Sequence, residues 1–298
     1  PLYYQNISSV CAYYKVVSNY KDSNKLNNKP IFMKKILFLM TFATMLAMGG
    51  CATEGGDAPK PLHIDNALTA EEKAEGKFTP EIMWKMSRIG AQTLSPVGSQ
   101  LIYTLTKYNL AENRGITFLV LRDMATGVER TLTDNTSTNT APQWLDNTTI
   151  AFMSNRTGAM QVWAMDAEGA NVKQVSDVEG GIEGFGISPD EMHIYYTQYV
   201  HAKDINSADV YEDADKSKAR IYDDLMARHW DYWDEGEYSH IFVADLTADG
   251  LKNDKDIIGE KSAWDAPLAP FFDTAEIAWS NNGKMLAYAC KPLTGAAY

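Results

Sequence analysis

Thr93-Leu94-Ser95-Pro96-Val97-Gly98-Ser99-Gln100-Leu101-Ile102-Tyr103 returns along the chain as Gly186-Ile187-Ser188-Pro189-Asp190-Glu191-Met192-His193-Ile194-Tyr195. It returns again as Ala278-Trp279-Ser280-Asn281-Asn282-Gly283-Lys284-Met285-Leu286-Ala287-Tyr288. A weaker copy is Gln143-Trp144-Leu145-Asp146-Asn147-Thr148-Thr149-Ile150-Ala151-Phe152. Each copy reads as a strand, a tight turn and a second strand. Ser-Pro fixes the entry φ, and the Gly, Asn or Asp that follows accepts the left-handed conformation that closes a hairpin.

A further β-rich run follows three of the copies. Thr117 to Asp123 precedes Thr126-Gly127, Gln161 to Asp166 precedes Glu168-Gly169, and His240 to Asp245 precedes Asp249-Gly250. These are third strands with their turns, and Arg130 to Thr133 and Lys173 to Ser176 supply fourth strands. A four-stranded antiparallel unit recurring every 40 to 50 residues or so, roughly, predicts an all-β fold, a β-propeller of four-stranded blades. Ser95, Ser188 and Ser280 are evenly spaced, about two blade lengths apart. The first interval holds two blades; the second holds one blade enlarged by an insertion at about residues 200–239. That insertion is rich in charge, has a helical look over Ala219 to Met226, and ends in His229-Trp230-Asp231-Tyr232-Trp233-Asp234-Glu235-Gly236. Blades stacked radially need a closed ring, so the sequence is expected to be a fragment carrying an incomplete one.

Upstream of the repeat, Thr79-Pro80-Glu81 sets a hydroxyl N-cap before a proline at the first helical position, and Ile82, Met83, Trp84, Met86 and Ile89 follow. One short helix is expected to open the globular part, which spans residues 78–298. Residues 52–77, with Thr53-Glu54-Gly55-Gly56-Asp57 and Pro59-Lys60-Pro61, read as a polar linker. Before it, Met33-Lys34-Lys35 is a basic start, Ile36 to Met48 an apolar run, and Gly49-Gly50-Cys51 supplies small residues ahead of a thiol. Residues 33–51 thus have the form of a bacterial lipoprotein signal, in which Cys51 takes the lipid. The apolar run is well short of the roughly 20 residues of a membrane-spanning helix. An ordinary signal peptide, or a short buried helix with an incidental cysteine, is the alternative. The lipoprotein reading predicts a periplasmic protein tied to the membrane at Cys51. Because a signal must begin a protein, translation is expected to start at Met33, with residues 1–32 an upstream region outside the fold.

The 298 residues are 45% hydrophobic, 22% charged and 11% aromatic, as in a folded, water-facing protein. A formal net charge of -12 repels phosphate backbones, which argues against nucleic acid as a partner. The three cysteines, Cys11, Cys51 and Cys290, are too few and scattered for a disulfide framework. Without a Cys-x-x-Cys pair or a His-Glu-x-x-His run, neither a metal nor another cofactor is expected.

The blade copies, together with Phe152-Met153-Ser154-Asn155-Arg156-Thr157-Gly158 and the string from Val175 to Phe185, resemble the propeller of the prolyl oligopeptidase family of serine peptidases. The insertion ending in His229-Trp230-Asp231-Tyr232-Trp233 is similar to the dipeptidyl-peptidase 5 and acylaminoacyl-peptidase branch. The resemblance runs from about Phe78 to Tyr298. It implies a substrate-gating propeller followed by an α/β-hydrolase domain with a Ser-Asp-His triad on a Gly-x-Ser-x-Gly elbow. No such elbow occurs in this chain, because Gly186-Ile187-Ser188-Pro189-Asp190 lacks the closing glycine. None of the five histidines therefore has a nucleophile to serve, and no catalytic residue is assigned.

In such peptidases acidic side chains on a propeller insertion grip the free α-ammonium of an oligopeptide substrate, an interaction strong where water is excluded. The resemblance implies Asp231, Asp234 and Glu235 for that role, with Trp230 and Trp233 as walls. The competing reading is a solvated acidic face over a core-packed tryptophan pair. His229 reads as a structural hydrogen-bonding residue. Glu179 and Glu183, in a Gly-rich loop, rank below the insertion, and Trp163, Tyr195 and Tyr196 read as core. A different function, a TolB-like propeller that binds a partner protein, stays open.

Overall fold

The computed structural model describes residues 61–292 apart from 215, 224 and 226. The signal segment, Cys51 and residues 1–32 lie outside the described residues. The described chain divides into two compact units, 61–182 and 183–292.

The first unit contains two four-stranded antiparallel sheets, each in sequence order. One is β1 (Arg88–Leu94), β2 (Gln100–Asn109), β3 (Arg114–Asp123) and β4 (Glu129–Thr131); the other is β5 (Asn139–Trp144), β6 (Thr149–Thr157), β7 (Ala159–Asp166) and β8 (Lys173–Gln174). β6 is buried at six consecutive positions from Thr149 to Ser154 and β7 from Gln161 to Met165. A strand covered on both faces needs apolar side chains on both, which is why these stretches read as continuous hydrophobic runs. Ile102, Leu119, Leu121, Ile150, Phe152, Trp163 and Met165 form the shared core of the two sheets.

The second unit contains β9 (Gly184–Ile187), β10 (His193–His201), β13 (Glu237–Thr247) and β14 (Gly250–Asp256) as one antiparallel sheet, and β15 (Ile277–Trp279) with β16 (Leu286–Tyr288) as a two-stranded one. β14 is a fourth strand that its sequence, Gly-Leu-Lys-Asn-Asp-Lys-Asp, did not announce, because its middle is exposed and charged. A further small hairpin, β11 (Arg228–His229) with β12 (Tyr232–Trp233), sits in the insertion. The architecture is all-β, with three four-stranded antiparallel sheets as the repeat predicts.

The turn that defines the repeat closes through its serine. Ser95 N–H donates to the Gln100 carbonyl at 2.8 Å while Ser95 Oγ accepts from Gln100 N–H at 3.1 Å. Ser188 does the same with His193, and Ser280 with Met285. In the weaker copy Asp146 Oδ1 takes over, accepting from the Thr148 and Thr149 amides at 2.6 and 2.7 Å. The left-handed residue in the turn is Gly98, Glu191 or Gly283. Sequence reading credited proline and glycine; the hydroxyl, which satisfies an amide inside the turn, is the shared element.

Two readings change near the ends. The stretch taken as linker carries α1 (Ala70–Glu75), closed by a capping box between Thr69 and Glu72. Leu62 is buried and held by Asn135 through backbone and side-chain hydrogen bonds of 2.9 and 3.0 Å. The predicted helix is α2 (Pro80–Lys85), capped by Thr79 as expected. It stops before Met86, and Ile89 belongs to β1. Lys85 pairs with Glu72 at 2.8 Å, and Trp84 packs edge-on against Tyr108 of β2, which seats both helices.

Candidate functional site

In all three large sheets the second and third strands form a hairpin, and the loop at its tip is where they differ. Asn109 pairs with Arg114 across a short loop, and Thr157 with Ala159 across Gly158. β10 and β13 pair in register from His193–Asp245 to His201–Glu237, so residues 202–236 are an insertion at the same place. The insertion is stitched at its base, where Gly236 carbonyl accepts from Ala202 and Lys203 N–H at 2.9 and 3.2 Å. Gly236 has φ +74°, and a Cβ there would run into the Lys203 carbonyl, so this closure needs glycine.

Higher up, Ser207 N–H donates to Ala219 and Ile221 N–H to Ile205, flanking a bridge between Asn206 and Arg220. Ile205 is fully buried and anchors this rung. The only helix of the insertion among the described residues is α3 (Ser207–Val210). The helical reading of Ala219 to Met226 is therefore a correction: the described residues there form a bridge, coil and bends. Charge-rich sequence permits a helix but supplies no apolar stripe to dock one, and a helix this short does not hold in water without docking.

The hairpin places the five candidate residues within one short arch, and it sorts them. Glu235 receives the Arg220 guanidinium in a two-pronged ion pair. Its hydrogen bond to Glu235 raises the Arg220 pKa. Asp234 Oδ1 accepts from Gly236 N–H at 2.8 Å. Asp231, at the tip, is exposed and makes no hydrogen bond or ion pair among the described residues. Of the three carboxylates, only Asp231 has all its acceptor capacity available to a ligand.

The aromatic residues divide the same way. Trp233 stacks on Tyr222 at 6.4 Å, with Arg220 and Arg228 within 6.0 and 5.5 Å of its ring. Trp230 is 71% exposed, has φ +47° and touches His229 at 4.7 Å. The core-packed tryptophan pair does not occur, since both rings stay substantially open to solvent. His229 lies between Trp230 and Tyr232; its Nε2 is sheltered yet has no partner among the described residues, so the hydrogen bond expected of it is not made by that nitrogen, and the contacts seen are with the two rings.

Burial first, then Glu183, Asp265, Tyr232 and Glu237, push the Tyr199 phenol up to about 12. Trp163, Tyr195 and Tyr196 are buried as read from sequence. Sequence reading passed over His240, fully buried on β13, with Nδ1 at 2.9 Å from Asp256 and Nε2 at 2.9 Å from the Ser262 carbonyl. Burial pushes its pKa down, but the hydrogen bonds to Asp256 and Ser262 outweigh it and the pKa is raised. Asp256, which also accepts from the Ile258 and Gly259 amides, stays below the usual carboxylate range despite burial, because of those partners. With acceptors on both nitrogens, the ring is the charged half of a structural pair. The signal available was a titratable residue at a core register of a strand. Among the described residues no group of three or more His, Cys, Asp or Glu is arranged to hold a metal ion.

Comparison with known proteins gives the arch a context. No family model matches the chain. A dipeptidyl-peptidase 5 of Porphyromonas endodontalis is 34% identical over 241 residues, 79% of this chain and 34% of that protein. Another, from Porphyromonas gingivalis, is 37% identical over 226 residues, 74% of this chain and 32% of that protein. Over most of its own length, then, the chain is similar to dipeptidyl-peptidase 5 proteins. It spans about a third of the length of these dipeptidyl-peptidase 5 relatives. Among solved structures, the acylaminoacyl peptidase of Pyrococcus horikoshii aligns with a TM-score of 0.45 at 19% identity, over 58% of this chain and 26% of that one.

Proposed function

We propose that this chain is the non-catalytic, substrate-gating propeller portion of an exported serine peptidase that releases dipeptides from oligopeptides. What supports the reading is the 34 to 37% identity to dipeptidyl-peptidase 5 proteins over most of this chain. The repeated four-stranded sheets act as blades beside an α/β-hydrolase domain that carries the nucleophile. The blades limit substrates by size, and the insertion meets the unblocked N-terminus of the peptide. Cys51 carries the lipid that holds the enzyme at the periplasmic face of the cell envelope.

The chemistry follows from the site. An α-ammonium needs an anionic acceptor that is not already neutralised, and of the three candidate carboxylates Asp231 meets that condition. The acidic surroundings of Tyr199 add long-range attraction for a cation. Fixing the N-terminus at a set distance from a nucleophile makes the enzyme count residues.

The test is to express the complete open reading frame and assay dipeptide release from unblocked oligopeptides and from their N-acetylated forms. Release from the unblocked peptides alone is expected. A reading frame without a Gly-x-Ser-x-Gly elbow, or equal cleavage of acetylated peptides, would overturn the reading. Palmitate labelling of the wild type but not of Cys51→Ser checks the anchor.

A further inference from the structure

We propose that Arg220 and Glu235 are positioning residues: their ion pair sets the Trp230–Asp231 tip in the geometry that receives a peptide N-terminus. The inference rests on the reading of the insertion given above and goes beyond it, because it assigns work to side chains that touch no ligand.

The argument begins with strain. β11 and β12 make only two residue pairs, Arg228 with Trp233 and His229 with Tyr232, and leave Trp230 and Asp231 as a two-residue loop. Trp230 has a left-handed φ of +47° at the first loop position, where tight hairpins take glycine or asparagine. Its side chain is 71% exposed, so burial does not compensate the backbone conformation. A hairpin this short and this strained does not hold itself together. Something else must over-determine it.

The hold comes from the neighbouring strand of the arch. Arg220 is fixed in the backbone bridge to Asn206, next to the buried Ile205. From there its guanidinium reaches Glu235 with two prongs and lies 6.0 Å from the centre of the Trp233 ring. Tyr222 stacks on the same ring and donates its hydroxyl proton to the Asp234 carbonyl at 2.9 Å. Asp234 N–H donates to Ala227 at 3.0 Å and closes the hairpin stem. A continuous path thus runs from Ile205 through Arg220 and Glu235 to the stem, and the stem carries Asp231 outward with its carboxylate unengaged. Glycine in place of Trp230 would relieve the strain, so the tryptophan is retained for what its exposed ring contacts.

Binding to the 298-residue chain is followed by tryptophan fluorescence, with alanyl-phenylalanine amide and its N-acetyl counterpart as probes. Wild type is expected to prefer the free amine, and Asp231→Asn to lose that preference by about ten-fold or more. Glu235→Gln and Arg220→Gln should lose the same preference while the thermal unfolding of the chain stays put. The charge-swapped double variant Arg220→Glu with Glu235→Arg should recover it. Trp230→Gly should weaken both probes alike without increasing tryptic cleavage after Arg228. A Glu235→Gln protein that still prefers the free amine overturns the proposal alone, leaving the reading of Asp231 in place. Wild type binding both probes equally overturns that reading and the proposal with it.

Discussion

Residues 61–182 and 183–292 are built from the same sheet and the same turn, and they share a second device. Trp144, at the end of β5, donates its indole N–H to the Thr93 carbonyl of β1 at 3.2 Å; Trp279, at the end of β15, donates to the Gly186 carbonyl of β9 at 3.0 Å. Each tryptophan directly precedes the turn of its copy, and each carbonyl lies two residues before the serine of the preceding sheet. Around this common lock the two units differ. The first fills its interior with aliphatic and aromatic side chains from two full sheets. The second has a smaller cluster of buried apolar residues, Tyr195, Ile241, Ala266, Ile277 and Leu286, and sets a His240–Asp256 pair across β13 and β14 of the sheet that bears the insertion. Directional bonds there fix a sheet that must support a long arch on one hairpin.

The largest effect expected to break this comparison is therefore His240→Ala. Removing one member of a buried pair leaves the other charge uncompensated, at about 3 to 5 kcal/mol. Hydrogen exchange should rise across β10, β13 and β14 while β2 and β3 stay protected. The pair also gives the second unit a pH window. Because His240 is held above its ordinary 6.5, its stability is complete below that pH and is lost as pH climbs through the raised value. Because Asp256 is held below its ordinary 3.8, its share is present above that pH and is lost as pH falls through the lowered value. Exchange in β13 should accelerate between neutral and alkaline pH relative to β3, and His240→Gln should abolish that difference. An equal slope in both strands would show that the pair contributes nothing.

Gly236→Ala comes next, at about 2 kcal/mol for a strained backbone position. The change forces the Lys203 carbonyl aside and opens the base of the arch, so protease sensitivity should appear within 202–236 while the first unit remains resistant. An arch that stays resistant would mean Gly236 is not its closure. Trp144→Phe and Trp279→Phe should each cost about 1 kcal/mol, the worth of one hydrogen bond with packing kept. Near-equal losses would confirm that the lock is the same device in both units; a loss in one alone would mean the resemblance is only geometric.

How much of this could be read in the sequence depends on what kind of force sets each element. Strand pairs and turns follow local rules, so the Ser95, Ser188 and Ser280 copies were legible, although the left-handed residue of the second turn is Glu191 rather than a Gly, Asn or Asp. The Asp146 version was weaker in sequence because a carboxylate replaces the hydroxyl while doing the same work. β14 escaped notice because an exposed edge strand has no apolar pattern. His240 stood in a core register of its strand, but its partners, Asp256 and Ser262, come from a later strand and the loop beyond it, so the pair itself was not legible. Within the arch, sequence named five residues as a set. Only folding showed that Glu235 and Asp234 are occupied by Arg220 and Gly236, that Trp233 is held between cations and Tyr222, and that Asp231 and Trp230 stand apart.

The smallest expected effect distinguishes an arch held by its own contacts from one that carries the sheet below it. The ion pair between Arg220 and Glu235 is 35 and 47% exposed on its two sides, so solvent screens it, and its direct worth to global stability is small and falls with salt. Arg220→Gln should leave the unfolding midpoint of the chain within error. Yet the same pair spans residues fifteen apart within a loop that has few other constraints, so its loss should be visible locally. Exchange at the Asp234 amide, which bonds Ala227 only while the hairpin is closed, should rise several-fold and should rise in the wild type as well when salt is added. If exchange at Asp234 is unchanged by both the substitution and salt, then Tyr222 and Trp233 hold the hairpin without the charges. Stacking on one ring would then be sufficient to keep a strained two-residue loop in place.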